Sequence, residues 1–144
     1  RLNESFGKQF LSIETRPAVT GGHNGQMGTP VSSVAEHADA FERRYDEKLA
    51  TWKRRLEQFG SQGNRVVVWG AGSKGVTFLN VLKVGNEVDS IVDLNPHKQG
   101  KYVPGTGHRV VSPEYLEEYR PDIVIVMNPL YKDEIAEIGV EFPF

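Results

Sequence analysis

The chain has 144 residues, 17 basic against 19 acidic, a formal net charge of −2 and no cysteine. That length holds one ordinary domain with a little over for an arm or linker, and the near-neutral balance gives no bulk electrostatic case for nucleic acid or an anionic membrane. Disulfides, thiol catalysis and cysteine-bound zinc within these residues are excluded, which suits a reducing, cytoplasmic setting.

No apolar run reaches the length of a membrane span, and the start lacks the layout of a signal peptide. Beginning at Arg1 with a sensible sequence already in progress, the chain reads as part of something longer. Residues 1–19 contain one expected strand, Gln9–Thr15, which Pro17 ends. With no partner strand in view, it reads as the tail of a preceding domain. Thr20–Pro30, with four glycines and a closing proline, is linker chemistry. His23 stands alone there, and a solvated linker histidine is the simpler reading.

Residues 32–59 carry the clearest helical pattern. Ser32 or Ser33 is placed to cap it, with Glu36 three residues after Ser33 completing a capping box. Apolar residues fall at Val34, Ala38, Phe41, Tyr45, Leu49, Trp52, Leu56 and Phe59, in steps of three and four. Gly60 is the expected stop. This stripe is a packing surface for the domain itself, for a neighbouring domain, or for a second copy in a homodimer.

Arg65–Gly75, RVVVWGAGSKG, runs an apolar strand into a G-x-G-x-x-G turn with a helix behind it. The first glycine suits a tight turn and the second lets a phosphate approach the backbone. The third lets the helix pack close, with its N-terminus facing an anion. The helix ends near Val84-Gly85-Asn86. A second strand, Val88–Val92, leads to Asp93, about twenty positions past the glycines, where dinucleotide folds hold a ribose hydroxyl. An equal reading is an Asp-Leu-Asn-Pro turn, with Asp93 and Asn95 bonded to backbone.

Residues 97–110, HKQGKYVPGTGHRV, show no hydrophobic period and read as a long loop. Lys98 and Lys101 suit an anion there, and Tyr102 suits stacking on a base or sugar. His97 and His108 are too isolated for metal ligands, and a plain surface loop is the alternative. Ser112-Pro113-Glu114 is a helix start, running to about Tyr119. Ile123–Met127 is an uninterrupted apolar strand of the kind buried on both faces, stopping at Asn128-Pro129. Tyr131–Ile138 is helical and Val140–Phe142 is one more expected strand.

The pattern after residue 65 predicts an α/β fold, a Rossmann-like three-layer domain with a mainly parallel sheet, preceded by the long helix. The expected divisions are 1–19 as a domain tail, 20–31 as linker and 32–144 as the Rossmann-like domain. Ligands of such sheets bind beyond the carboxyl ends of the strands. The candidate contacts are Gly70, Gly72, Ser73, Lys74, Gly75, Asp93, Asn95, Lys98, Lys101, Tyr102 and Asn128. No nucleophile–base pair, glutamate pair or metal cluster recurs at informative spacing, so binding is better supported than catalysis.

Three segments, VVVWGAGSKGVTFLN, IVDLNPHKQGKYVPGTGHRVVSPEYL and PDIVIVMNPLYKDEI, resemble the C-terminal domain of SAM-dependent C-methyltransferases. These enzymes act on a ring carbon of nucleotide-linked keto-deoxysugars. The resemblance covers roughly Val34 to Ile138, and DLNPxKQGxYxPGTG is its most specific part. It implies a cysteine-rich zinc-binding start and a central SAM-binding methyltransferase domain, both upstream, with QFLSIETRP as the central domain's tail. SAM, zinc and the catalytic base then lie outside these residues. The matching positions Gly70, Gly72, Ser73, Lys74, Gly75, Lys98, Lys101 and Tyr102 are the implied contacts to a nucleotide-sugar. Two other readings stand beside it: an NAD(P)-type dinucleotide-binding redox or sensor domain, favoured by Asp93, and a purely structural dimerisation module built on the long helix.

Overall fold

A computed structural model describes residues 2–5, 10–13 and 31–137. The chain divides into two compact units, residues 1–42 and 43–144. In the first, β1 (Leu2–Ser5) and β2 (Phe10–Ile13) pair antiparallel, Leu2 opposite Ile13 and Ser5 opposite Phe10. The strand expected at Gln9–Thr15 therefore has a partner from its own chain. That pairing joins two four-residue segments, and the first carries a single apolar residue, so hydropathy alone does not mark it. The linker 20–30, with His23, lies outside the described residues, as does the strand expected at Val140–Phe142.

Helix α1 runs Val31–Ser61. It begins at Val31, before the expected cap positions Ser32 and Ser33, which are helical. It also passes through Gly60 and ends at Ser61, with the left-handed closing residue at Gly63, whose φ is 71°. There the Asn64 N–H donates to Phe59 O at 3.1 Å and the Gly63 N–H to Gly60 O at 3.0 Å. This paired closure satisfies two of the last carbonyls and needs the left-handed residue three places later than expected. The C-terminal half of the apolar stripe, Leu49, Trp52, Leu56 and Phe59, packs on the domain core. Trp52 meets Phe78 edge-on at 5.2 Å, a contact worth about 0.5–1.5 kcal/mol beyond its area. Val34, Phe41 and Tyr45 are exposed.

The second unit is built on a four-stranded, all-parallel sheet in the order β5-β4-β3-β6. Its elements are β3 (Val66–Trp69), α2 (Ser73–Leu82), β4 (Ser90–Val92), β5 (Arg109–Val111), α3 (Tyr115–Tyr119), β6 (Ile123–Val126), a 3-10 turn (Pro129–Tyr131) and α4 (Lys132–Glu137). Strand alternation sorts the core. Val66, Val68, Ile91, Val110 and Ile125 face Leu79 and Leu82 of α2 and Leu56 of α1. Val67, Trp69, Val92 and Val111 face Leu116 of α3 and Ile135 of α4. The three-layer α/β expectation holds. Val66, Val67 and Val68 are fully buried, each contributing about 1.5–3 kcal/mol.

Three local readings change. Arg109–Val111 is a strand, inside what the sequence presents as loop, because it pairs with β4 in register Ile91↔Val110. Strand β6 is mostly half-buried rather than buried on both faces, because among the described residues it pairs with β3 alone. The segment after Ser112 is a succession of tight turns, Tyr115 N–H to Ser112 O and Leu116 N–H to Pro113 O, before α3 begins. Among the described residues, no helix is long and apolar enough to cross a membrane.

Candidate functional site

Strand order reverses between β3 and β6: the chain works outward from β3 through β4 to β5, then returns to β3's other side. In open parallel sheets this switch point opens a crevice beyond the strand ends. Here its walls are the glycine turn after β3 and Asn128 after β6. The two are joined by the Met127 N–H donating to Trp69 O at 3.1 Å.

The glycine turn has the geometry its spacing predicts. Gly70 has φ 110°, a conformation that favours glycine, and its N–H donates to Val92 O at 2.8 Å. Gly72 is the N-cap of α2, and the first bond of the helix is Val76 N–H to Gly72 O at 3.0 Å. A Cβ built on Gly72 meets no atom within 4 Å, so the backbone there is open to approach. Gly75 differs: a Cβ on it would stand against the Gly70 carbonyl and 2.9 Å from Ile91 Cδ1. Ser73 and Lys74 form the exposed first residues of the helix. The partial positive charge of this N-terminus favours an anion.

At the end of β4 the chain makes the turn that was one of two open readings. Asp93 Oδ1 accepts the Asn95 N–H at 2.9 Å, and Asn95 Oδ1 accepts the His97 N–H at 3.0 Å. The other carboxylate oxygen, Oδ2, accepts from Lys98 Nζ at 2.9 Å. That ammonium also donates to Ala71 O, inside the glycine turn, at 3.1 Å. Gln99 Nε2 closes the arrangement on Asp93 O at 2.9 Å. The spacing D-x-x-x-x-K-Q carries the Lys98 and Gln99 contacts to Asp93, whereas the bridge to Ala71 is set by the fold.

The stretch from Gly100 is a hairpin on the outer edge of β5. Gly100 N–H donates to Val110 O, Val110 N–H to Lys101 O and Val103 N–H to His108 O. Tyr102 stands beside Arg109, at the start of β5, and is exposed. Lys101 and Tyr102 are thus three strand spacings from β3, about 14 Å, and Tyr102 lies toward the opposite end of the strands from Gly70. The structure brings Gly70–Gly75, Asp93, Lys98 and Asn128 to one edge and leaves Lys101 and Tyr102 on the flank. Asn95, also exposed, serves the turn. Asn128 Oδ1 accepts the Leu130 N–H at 3.3 Å, starting the 3-10 turn.

The hairpin is fastened by side chains with no evident ligand role. Asn80 Nδ2 donates to Val76 O at 2.9 Å and to Pro104 O at 3.0 Å. Buried His108 sits 3.0 Å from Gly85 O through Nε2 and 2.8 Å from Thr106 Oγ1 through Nδ1. A carbonyl only accepts, so Nε2 carries a proton and, in the neutral ring, Nδ1 accepts from the hydroxyl. Among the described residues, no three His, Asp or Glu side chains are grouped to hold a metal ion.

The opposite edge of the sheet is pinned by charge. Arg65 donates to Tyr119 O at 2.7 Å and to Asp122 Oδ2 at 3.4 Å, and lies over the Tyr119 ring. The Arg65 backbone N–H, first, and then its guanidinium hold the Asp122 carboxyl below its ordinary range. At the other end of the strands, just past β5, Ser112 does the same for Glu114.

A comparison with curated proteins finds no match. A family model described as the C-methyltransferase C-terminal domain matches residues 30–142, which takes in α1 and every element of the sheet unit. The chain belongs to the C-methyltransferase C-terminal domain family.

Proposed function

We propose that residues 32–144 form the substrate-side domain of a SAM-dependent sugar C-methyltransferase, taking the diphosphate of a nucleotide-sugar at the glycine turn. The observation that carries this reading is the open backbone at Gly72, with the Lys98 ammonium held 3.1 Å from the neighbouring Ala71 carbonyl. A helix N-terminus and a fixed cation beside it suit a phosphate. Gly72, Ser73, Lys74 and Lys98 are the proposed contacts.

S-adenosylmethionine brings no phosphate to the turn, and Asp93 is already bonded to the Asn95 N–H and to Lys98. In this reading SAM belongs to a neighbouring methyltransferase domain, which is also the proposed partner. A cysteine-rich zinc site cannot come from this chain, which has no cysteine. What the domain supplies is recognition and orientation of the acceptor.

Isothermal calorimetry of the chain with a dTDP-sugar, dTDP alone and NAD(P) tests this. Saturable binding of dTDP and its sugar is the expected result. Binding of NAD(P) without dTDP overturns it in favour of a dinucleotide domain. No binding of any of them leaves a structural module.

A further inference from the structure

Asp93 occupies the position that, in folds of this strand order, accepts a ribose hydroxyl: the end of the strand next to the glycine strand. Its side chain is 12% exposed, and both oxygens are in use. Oδ1 serves the Asn95 N–H, and Oδ2 serves Lys98 Nζ, which is simultaneously bonded to the glycine turn through Ala71 O. Each oxygen keeps a second lone pair, but the side chain is so nearly covered that a ribose diol arriving here has to crowd against the Lys98 ammonium on Oδ2 or displace it. Displacement exchanges a short charge-assisted bond for a neutral one and strips a charge of its partner.

We infer that Lys98 is the specificity-determining residue of this edge. It closes the ribose-reading acid and offers its charge to the phosphate side. The ligand it selects is a nucleoside diphosphate whose ribose is not read at β4, rather than an adenine dinucleotide. Two of the three ammonium protons are used by Asp93 and Ala71, and the side chain is 40% exposed, so a proton and the charge remain for an anion. This inference rests on the proposal that the glycine turn takes a diphosphate.

The test compares affinities for dTDP and NAD⁺ in the wild-type chain and in Lys98→Met, with circular dichroism and thermal melting to verify the fold. Both ligands carry a diphosphate, so the ratio of affinities is the readout. A residue that merely props the loop weakens both together and leaves the ratio unchanged. Removing Lys98 takes a cation from both diphosphates alike, and frees the Asp93 carboxylate for the ribose of NAD⁺ alone, so the ratio moves through Asp93. The dTDP-to-NAD⁺ preference is expected to fall about tenfold or more, the size of one charge-assisted hydrogen bond. Adding Asp93→Asn to that variant should remove whatever NAD⁺ binding was gained.

Lys98→Gln keeps a donor type for Ala71 O without the charge, and is expected to lower the preference in the same direction if the methionine variant fails to fold. Wild-type binding of dTDP with an unchanged ratio in both folded variants overturns the role of Lys98 and leaves the diphosphate reading intact. A wild-type chain that binds neither ligand, or NAD⁺ alone, overturns both.

Discussion

Gly75 lies directly against the carbonyl oxygen of Gly70, with Ile91 Cδ1 2.9 Å from where its Cβ would stand. The contact sets how closely α2 approaches β3. An alanine at Gly75 meets a backbone carbonyl, which cannot swing aside as a side chain can, so the helix must move. Gly75→Ala is expected to destabilise the domain by about 1–3 kcal/mol, the usual cost of overpacking, or more. A urea midpoint equal to that of the wild type would refute the close-approach reading.

Gly72 is the matching control. Its φ of −88° suits any residue, and nothing stands within 4 Å of an added Cβ. Gly72→Ala therefore costs about 1 kcal/mol or less, the difference between glycine and alanine at an N-cap. The methyl group instead stands where a phosphate would approach. Weakened dTDP binding with nearly unchanged stability is the expected outcome, measured by calorimetry and urea titration on the same preparation. Undiminished binding would place the ligand elsewhere.

Asn80 ties the hairpin to α2 through one amide group shared between Val76 O and Pro104 O. Asn80→Ala loses both bonds and leaves Pro104 O to find water, at about 1–2 kcal/mol. Asn80→Asp is expected to be worse, because a carboxylate then faces two carbonyl oxygens with no proton to offer. Amide exchange at Val103 and Gly107 should quicken in both variants, more in the aspartate. Equal exchange in all three proteins would mean that His108 and its Gly85 contact hold the hairpin unaided.

Most of the fold was legible because its elements announce themselves. Val66–Trp69 and Ile123–Val126 are apolar runs bounded by Gly, Pro or Asn, and α2 follows a glycine turn whose spacing has a mechanical meaning. Arg109–Val111 was not legible: three residues show no period, and their strand character comes from pairing with Ser90–Val92. Asp93 was ambiguous for a different reason. A ribose acceptor and a turn-former are the same residue in the same place. What separates them is Lys98, five positions on, reaching a carbonyl 27 residues back in the chain. Tyr102 was read as a stacking surface from its neighbours in sequence, whereas hairpin pairing carries it to the other end of β5. The closing residue of α1 slipped from Gly60 to Gly63 because only the left-handed position closes the helix, and both glycines suit it on composition alone.

Tyr119 gives the fold a dependence on alkaline pH. Burial disfavours its phenolate. The nearby Asp89 carboxylate favours the protonated hydroxyl and opposes a second negative charge, and Arg65 offsets only part of this. The phenol is therefore harder to ionise in the folded chain than in the unfolded one. Below the ordinary tyrosine value, about pH 10, both states keep the proton and the stability is fully present. Above it the unfolded chain ionises first, so stability falls as pH rises. Tyr119→Phe is expected to be about 1 kcal/mol less stable at neutral pH, through loss of the hydroxyl's interaction with Asp89, and to show a shallower decline above pH ~10. Parallel declines of the urea midpoint in the two proteins would assign the alkaline sensitivity to other tyrosines or lysines.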